Sequence, residues 1–153
     1  MTTWNGFATI APHLAAKGLA RFDATGLTLI GTLRRDGSPR ISAVEPLIFE
    51  GQLALGMMWR SMKALDLRRD PRCVVHSTIS NKDGTEGEFK VYGRAVAVEA
   101  GDTRDRYCEA LRAAIGWAPE GDEWHLWFVD IEQVSWFRVA AGGNHETLVW
   151  REA

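Results

Sequence analysis

The chain has 153 residues, 46% of them hydrophobic and 25% charged, a composition that fits one soluble domain able to bury roughly 70% of the surface its unfolded form exposes. Eighteen Lys and Arg against twenty Asp and Glu leave a formal charge of -2 with no long run of either sign, which argues against nucleic acid or an anionic membrane as partner. Cys73 and Cys108 lie outside any C-x-x-C arrangement, so neither a disulfide framework nor a cysteine metal site is indicated. Met1 to Ile10 lacks a basic flank followed by an apolar core, and no stretch is apolar for long enough to span a bilayer; a cytoplasmic location is expected.

In chain order, Phe7, Ile10, Ala11, Leu14, Ala15 and Leu19 recur at helical spacing, which predicts one amphipathic helix over about residues 6–20, with Gly18 and Gly26 bracketing its end. "LTLIGTLRRDGSPRISAVEPLIFEGQLALGMM" then holds three β-prone runs separated by Asp36-Gly37-Ser38-Pro39 and Glu50-Gly51, the pattern of an antiparallel meander. "SMKALDLRRDP" offers Ser61 as a helix N-cap and stops at Asp70, because the residue before a proline is pushed out of helical geometry. "CVVHSTI" and "FKVYGRAVAVE" read as strands around the polar loop 81–88. "AGDTRDRYCEALRAAIGW" returns to helical spacing with Asp102 or Thr103 as cap, and "WHLWFVDIEQVSWFRV" and "ETLVWRE" close the chain as strands joined through 141–144. Six or more strands, few helices and no interior linker predict one mainly β domain over 1–153, an antiparallel barrel or sandwich over about 27–151 decorated by helices.

The stretch around Ser61 carries the chemistry. The first turn of a helix has free backbone N–H groups and a partial positive charge, so it can hold a phosphate, with a hydroxyl from Ser61 and a full charge from Lys63; Arg60 could close on the same anion. On spacing alone, Ser61 as an ordinary cap beside solvated Arg60 and Lys63 explains the same residues more simply. "RRDGSPR" likewise reads as a hairpin tip of solvated charges.

The order of features adds to this. "TLRRDGSPRISAVEPLIFEGQLALGMMWRSMKALDLRRDPRCVVHSTI", Thr32 to Ile79, resembles the flavin-binding split-barrel proteins of the pyridoxamine 5'-phosphate oxidase-like superfamily, whose pattern runs strand, D-G-x-P, strand, G-x-L, strand, S-x-K on a helix, D-P-R and a fourth strand. "EGEFKVYGRAVAVE" continues the match with G-x-A, and the C-terminal strands look like those of the family's actinobacterial members. The resemblance implies an antiparallel split β-barrel, a homodimer with the cofactor at its interface, and FMN or a deazaflavin as cofactor, with haem as a further candidate. It implies that Ser61 and Lys63 hold the cofactor phosphate, that Met57 and Met58 line the approach, that Ser42, Val44 and Glu45 flank the ring, and that Glu88 or Lys90 supplies a polar group near it. Met62 stands where the oxidases usually carry Arg, a charge that Arg60 could replace, and the chain ends "VWREA" in place of the R-L-x-P that grips pyridoxamine phosphate, so a different substrate is implied.

His13, His76, His125 and His145 have no metal-binding spacing. His125, among Trp124, Trp127 and Phe128, is either a packed, hydrogen-bonded core residue or a cofactor neighbour. "WHLWFVDI" is apolar at both alternating sets of positions, which predicts cover on both faces and, with seven Trp and six Phe in the chain, a partner surface. The expected function is a flavin- or deazaflavin-dependent oxidoreductase passing a hydride to or from a small molecule; the alternative is a non-enzymatic flavin or haem carrier or sensor.

Overall fold

In a computed structural model of the chain, which describes residues 1–99 and 101–153, eight antiparallel strands form one sheet. Its elements are α1 (Trp4–Ile10), α2 (Pro12–Thr25), β1 (Thr28–Leu33), β2 (Pro39–Val44), β3 (Pro46–Phe49), β4 (Gln52–Met58), α3 (Met62–Arg69), β5 (Arg72–Ser77), β6 (Glu88–Ala97), α4 (Gly101–Ile115), β7 (Trp124–Val139) and β8 (His145–Arg151). Hydrogen-bonded neighbours run β2-β1-β5-β6-β7-β4-β3, with β8 added to the second half of β7. The two ends of this path, β2 and β3, are consecutive in the chain with only Glu45 between them. One residue cannot reverse the chain, so β2 runs end to end into β3; because the first half pairs with β1 and the second with β4, the sheet must curl round into a barrel whose two ends are joined by the chain at Glu45 rather than by a ladder. No helix among the described residues is long and apolar enough to cross a membrane.

Alternation builds the core. Leu53, Leu55 and Met57 of β4, Val75 of β5, Phe89 and Val91 of β6, and Trp127, Val129 and Ile131 of β7 point inward, and Trp4, Phe7, Leu14 and Phe22 of α1 and α2 plug the same cluster. A second cluster lies on the other face of β4 and β7, where Ala54, Trp124 and Leu126 meet Tyr107 and Leu111 of α4. Both faces of "WHLWFVDI" are therefore covered within the chain, as the sequence indicates, by the barrel core on one side and α4 on the other.

Three further expectations are corrected. The N-terminal helix over 6–20 is two helices: Pro12 lacks an N–H and biases Ala11 out of helical geometry, so α1 ends there and α2 begins with Pro12 in its first turn and runs to Thr25. Ile10 is 69% exposed and lies off the buried stripe, and Gly18 marks no end, because it sits mid-helix where the Phe89 ring leaves no room for a Cβ. The three β-runs are not a meander: the middle one breaks at Glu45-Pro46, and its halves pair with β1 and with β4 at opposite ends of the path. Asp102 and Thr103 lie inside the first turn of α4, which starts at Gly101, rather than at a cap position ahead of it.

Candidate functional site

β4 ends at Met58 and the chain turns through Trp59 and Arg60 into α3. Arg60 has a φ of 52°, the left-handed region that a residue with a Cβ enters at a cost of roughly 1 kcal/mol or more. His125 on β7 holds it there: Nε2 accepts the Arg60 backbone N–H at 3.0 Å, which fixes the neutral tautomer with the proton on Nδ1. The Trp59 ring stacks on this imidazole, centroids 4.9 Å apart and planes within 12°. Burial, with Arg68 and Arg104 nearby, pushes the His125 pKa below its usual value. His125 is thus the packed, hydrogen-bonded residue of the two alternatives, and what it positions is the entry to α3.

Beside that turn lies a cavity of about 700 Å³, within the usual range of small-molecule and cofactor sites. Its wall includes Val44 and Glu45 at the end of β2, Met57 and Met58 on β4, and Lys63 in the first turn of α3. Five of the sequence-derived site residues are therefore brought together by three separate elements. Ser61 occupies the N-cap position of α3, yet its side chain makes no capping bond, and its buried Oγ has no partner within the chain. The expectation of an ordinary cap is corrected: an orphaned hydroxyl, the N–H groups of the first turn and the Lys63 ammonium are the donor set that a phosphate group satisfies.

The remaining residues separate. Arg60 turns its side chain into a second groove, on the other side of Trp59. Ser42 pairs with Ile30 across β1–β2 and does not line the cavity. Glu88 and Lys90 lie on the outward face of β6, Lys90 3.9 Å from Glu88 and Glu88 facing His76 at 3.6 Å, apart from this cavity within one chain.

Sequence reading missed the opposite wall. Tyr107 and Leu111 of α4 and the segment carrying Trp117, Pro119, Glu120 and Glu123 close the cavity from that side. Tyr107 reaches it because Gly56 on β4 has no side chain: a Cβ there would lie 2.7 Å from the Tyr107 hydroxyl. Burial, and then the charge of Glu45, push the Tyr107 pKa up to about 12, so it stays a neutral hydroxyl at every physiological pH. The available signal was Trp117, an aromatic in an otherwise polar, turn-rich stretch; it is 60% exposed.

No protein-family model and no curated protein sequence matches the chain. Solved structures do. PhzG from Burkholderia lata 383, in complex with tetrahydrophenazine-1-carboxylic acid, superposes with a TM-score of 0.71 at 14% identity over 98% of this chain and 88% of its own. A protein related to general stress protein 26, of the pyridoxinephosphate oxidase family, from Clostridium acetobutylicum gives 0.64 at 13% identity, covering 87% of this chain and 92% of the other. A heme binding protein from Mycobacterium smegmatis gives 0.62 at 20% identity over 87% of this chain, which spans only 57% of that protein. The chain has the split β-barrel fold of the pyridoxamine 5'-phosphate oxidase-like superfamily.

Proposed function

We propose that the cavity between β2, β4, α3 and α4 binds FMN or a deazaflavin, and that the protein is an oxidoreductase acting on a small molecule. The observation that carries the reading is the unpartnered buried hydroxyl of Ser61 at the start of α3, two residues before Lys63, which lines the 700 Å³ cavity. When bound, the flavin or deazaflavin ring supplies hydride transfer. The chain's own residues bind and orient it. Ser61, Lys63 and the first N–H groups of α3 would hold the phosphate; Met57 and Met58 offer adaptable apolar contact; the backbone at Val44 and Glu45 runs beside the space left for the ring. Tyr107, held neutral, is a hydroxyl donor on the far wall. Arg60 does not replace the charge missing at Met62, since it faces the other groove, so Lys63 is the single cation on this wall.

The carrier alternative is weaker for haem than for flavin. His125 is not available as an axial haem ligand through Nε2, which accepts the Arg60 N–H. A homodimer belongs to the same proposal: the outward face of β1, β2 and β6 carries exposed Leu29, Ile41 and Tyr92, and a second copy would cover them. Titrating the purified protein with FMN and, separately, with a deazaflavin, by calorimetry and absorption, tests the cofactor. Stoichiometric binding of one, followed by anaerobic reduction and reoxidation by an organic acceptor, is expected; absence of binding by both overturns the reading.

A further inference from the structure

The groove on the other side of Trp59, about 1030 Å³, is built differently. Six arginines from four segments converge on it, two from the β1–β2 hairpin tip, one each from β2 and the β4–α3 turn, and two from α3. Two of the six are already engaged by one carboxylate. Asp66, a buried carboxylate, accepts hydrogen bonds from Arg40 at 2.7 Å, Arg69 at 3.1 Å and the Thr32 hydroxyl at 2.8 Å, so these arginines form a fixed floor. Asp36, the other carboxylate on the groove, is folded back on Ser38. Among the described residues, the guanidinium groups of Arg34, Arg35, Arg60 and Arg68 make no hydrogen bond and no ion pair, and all four border the groove. One of them, Arg60, is placed by a backbone conformation that costs energy and that His125 secures.

We propose that this groove is a second ligand site, which takes a nucleoside di- or triphosphate. A guanidinium fork matches phosphate oxygens in pairs, and four unpaired forks along one concavity suit several phosphates in a row rather than a single anion. Trp59 supplies the other half of the recognition: one face of its ring is stacked on His125, the residue is 46% exposed, and it borders the groove, so a planar base can stack there. An extended nucleic acid strand fits less well, because beyond Trp59 the surface turns acidic at Glu45, Glu120 and Glu123. The site does not depend on the cofactor assignment, since none of the four free arginines borders the cofactor cavity.

The test is equilibrium binding of ATP, of tripolyphosphate and of a short single-stranded oligonucleotide to the purified chain without flavin. ATP is expected to bind, and tripolyphosphate more weakly. Replacing both Arg34 and Arg68 by Gln should weaken both ligands about tenfold or more, while melting temperature is unchanged, both residues being exposed. Trp59→Leu should bring ATP down to the affinity of tripolyphosphate and leave tripolyphosphate where it was. Lys63→Ala, which strips the other cavity, should keep its ATP affinity. The proposal is overturned by absence of ATP binding at low salt, by ATP affinity lost in Lys63→Ala but kept in the double arginine variant, or by an oligonucleotide that binds more tightly than ATP. Flavin titration of the same double variant is a separate readout, so failure here and failure of the cofactor reading are distinguishable.

Discussion

Ser61 and Lys63 are neighbours with different expected phenotypes. If Lys63 holds the proposed cofactor phosphate, removing it takes away a hydrogen bond to a charged group, worth about 1.5 to 3 kcal/mol, and Lys63→Ala should weaken cofactor binding by roughly ten- to a hundredfold. Its apo stability should not fall, because a cation in the first turn of a helix opposes the macrodipole. A capping serine would lose about 1 kcal/mol on truncation, but this one makes no capping bond and its buried hydroxyl is unpaired. Ser61→Ala should therefore leave the apo melting temperature unchanged or slightly raised while weakening cofactor affinity; a clear drop in apo stability would return Ser61 to the role of cap. The S-x-K spacing was enough to locate this pair, whereas the missing cap bond depends on where the β4–α3 turn aims the hydroxyl, which no local pattern encodes. At the same turn, His125 gives a pH signature. Its pKa is depressed in the folded chain by burial first and by Arg68 and Arg104 second, so the unfolded chain takes up the proton before the folded one does. Stability should be full above the ordinary histidine value of about 6.5, decline as pH falls below it, and level off once the folded-state value is passed. Denaturant unfolding across that window should show the decline in the wild type and a flatter profile in His125→Gln, whose side-chain carbonyl can still accept the Arg60 N–H; an unchanged slope would assign the effect elsewhere.

At the level of elements, strands and helices were readable wherever the hydrophobic period was undisturbed, as in β1, β4, β6 and α4. The errors fall at prolines and in pairing. Pro12 divides a stripe that looks continuous by spacing, and Pro46 ends a β-run whose two halves then join strands at opposite ends of the sheet, a decision made by long-range packing. Two glycines show how elements are held close. At Gly93, where the β6–β7 register shifts, a Cβ would collide with the Asp130 backbone carbonyl, which cannot swing away as a side chain can. Gly93→Ala is expected to destabilise by about 2 kcal/mol or more, read as a lowered denaturation midpoint. At Gly56 the obstructing atom is the Tyr107 hydroxyl, the end of a side chain, so Gly56→Ala should cost less stability. It should instead push Tyr107 out of the cavity wall and weaken cofactor binding, a split between folding and affinity that Gly93→Ala does not share.

For the whole molecule, the sequence count of aromatics pointed to a partner surface, and α4 accounts for the part of that surface on β7. What remains open is the outer face of the sheet. Cross-strand partners carry it across in rows: Ile41 opposite Gly31, Gly31 opposite Val74 and Val74 opposite Tyr92, with Ala43, Leu29, His76 and Lys90 forming the adjacent row. Ile41 is 72% exposed, and Leu29 and Tyr92 are each 37% exposed. Such a contiguous band is larger than scattered surface apolars require, and a stable interface needs about 800 Å² from each partner, which a face spanning four strands can supply. Its self-pairing would be isologous, so one substitution acts twice. Ile41→Asp places two desolvated charges in that interface and should convert a dimer into a monomer at micromolar concentration, measured by sedimentation, while the monomer melts as a folded unit because Ile41 contributes nothing to the core. Glu88 and Lys90 lie on this same face, away from their own cavity. If the second copy brings them to the neighbouring cofactor site, Ile41→Asp should also lower cofactor affinity, and Lys90→Ala should do so without changing the sedimentation coefficient. A wild-type monomer with cofactor bound would remove both residues from the site and leave the 700 Å³ cavity to act within a single chain.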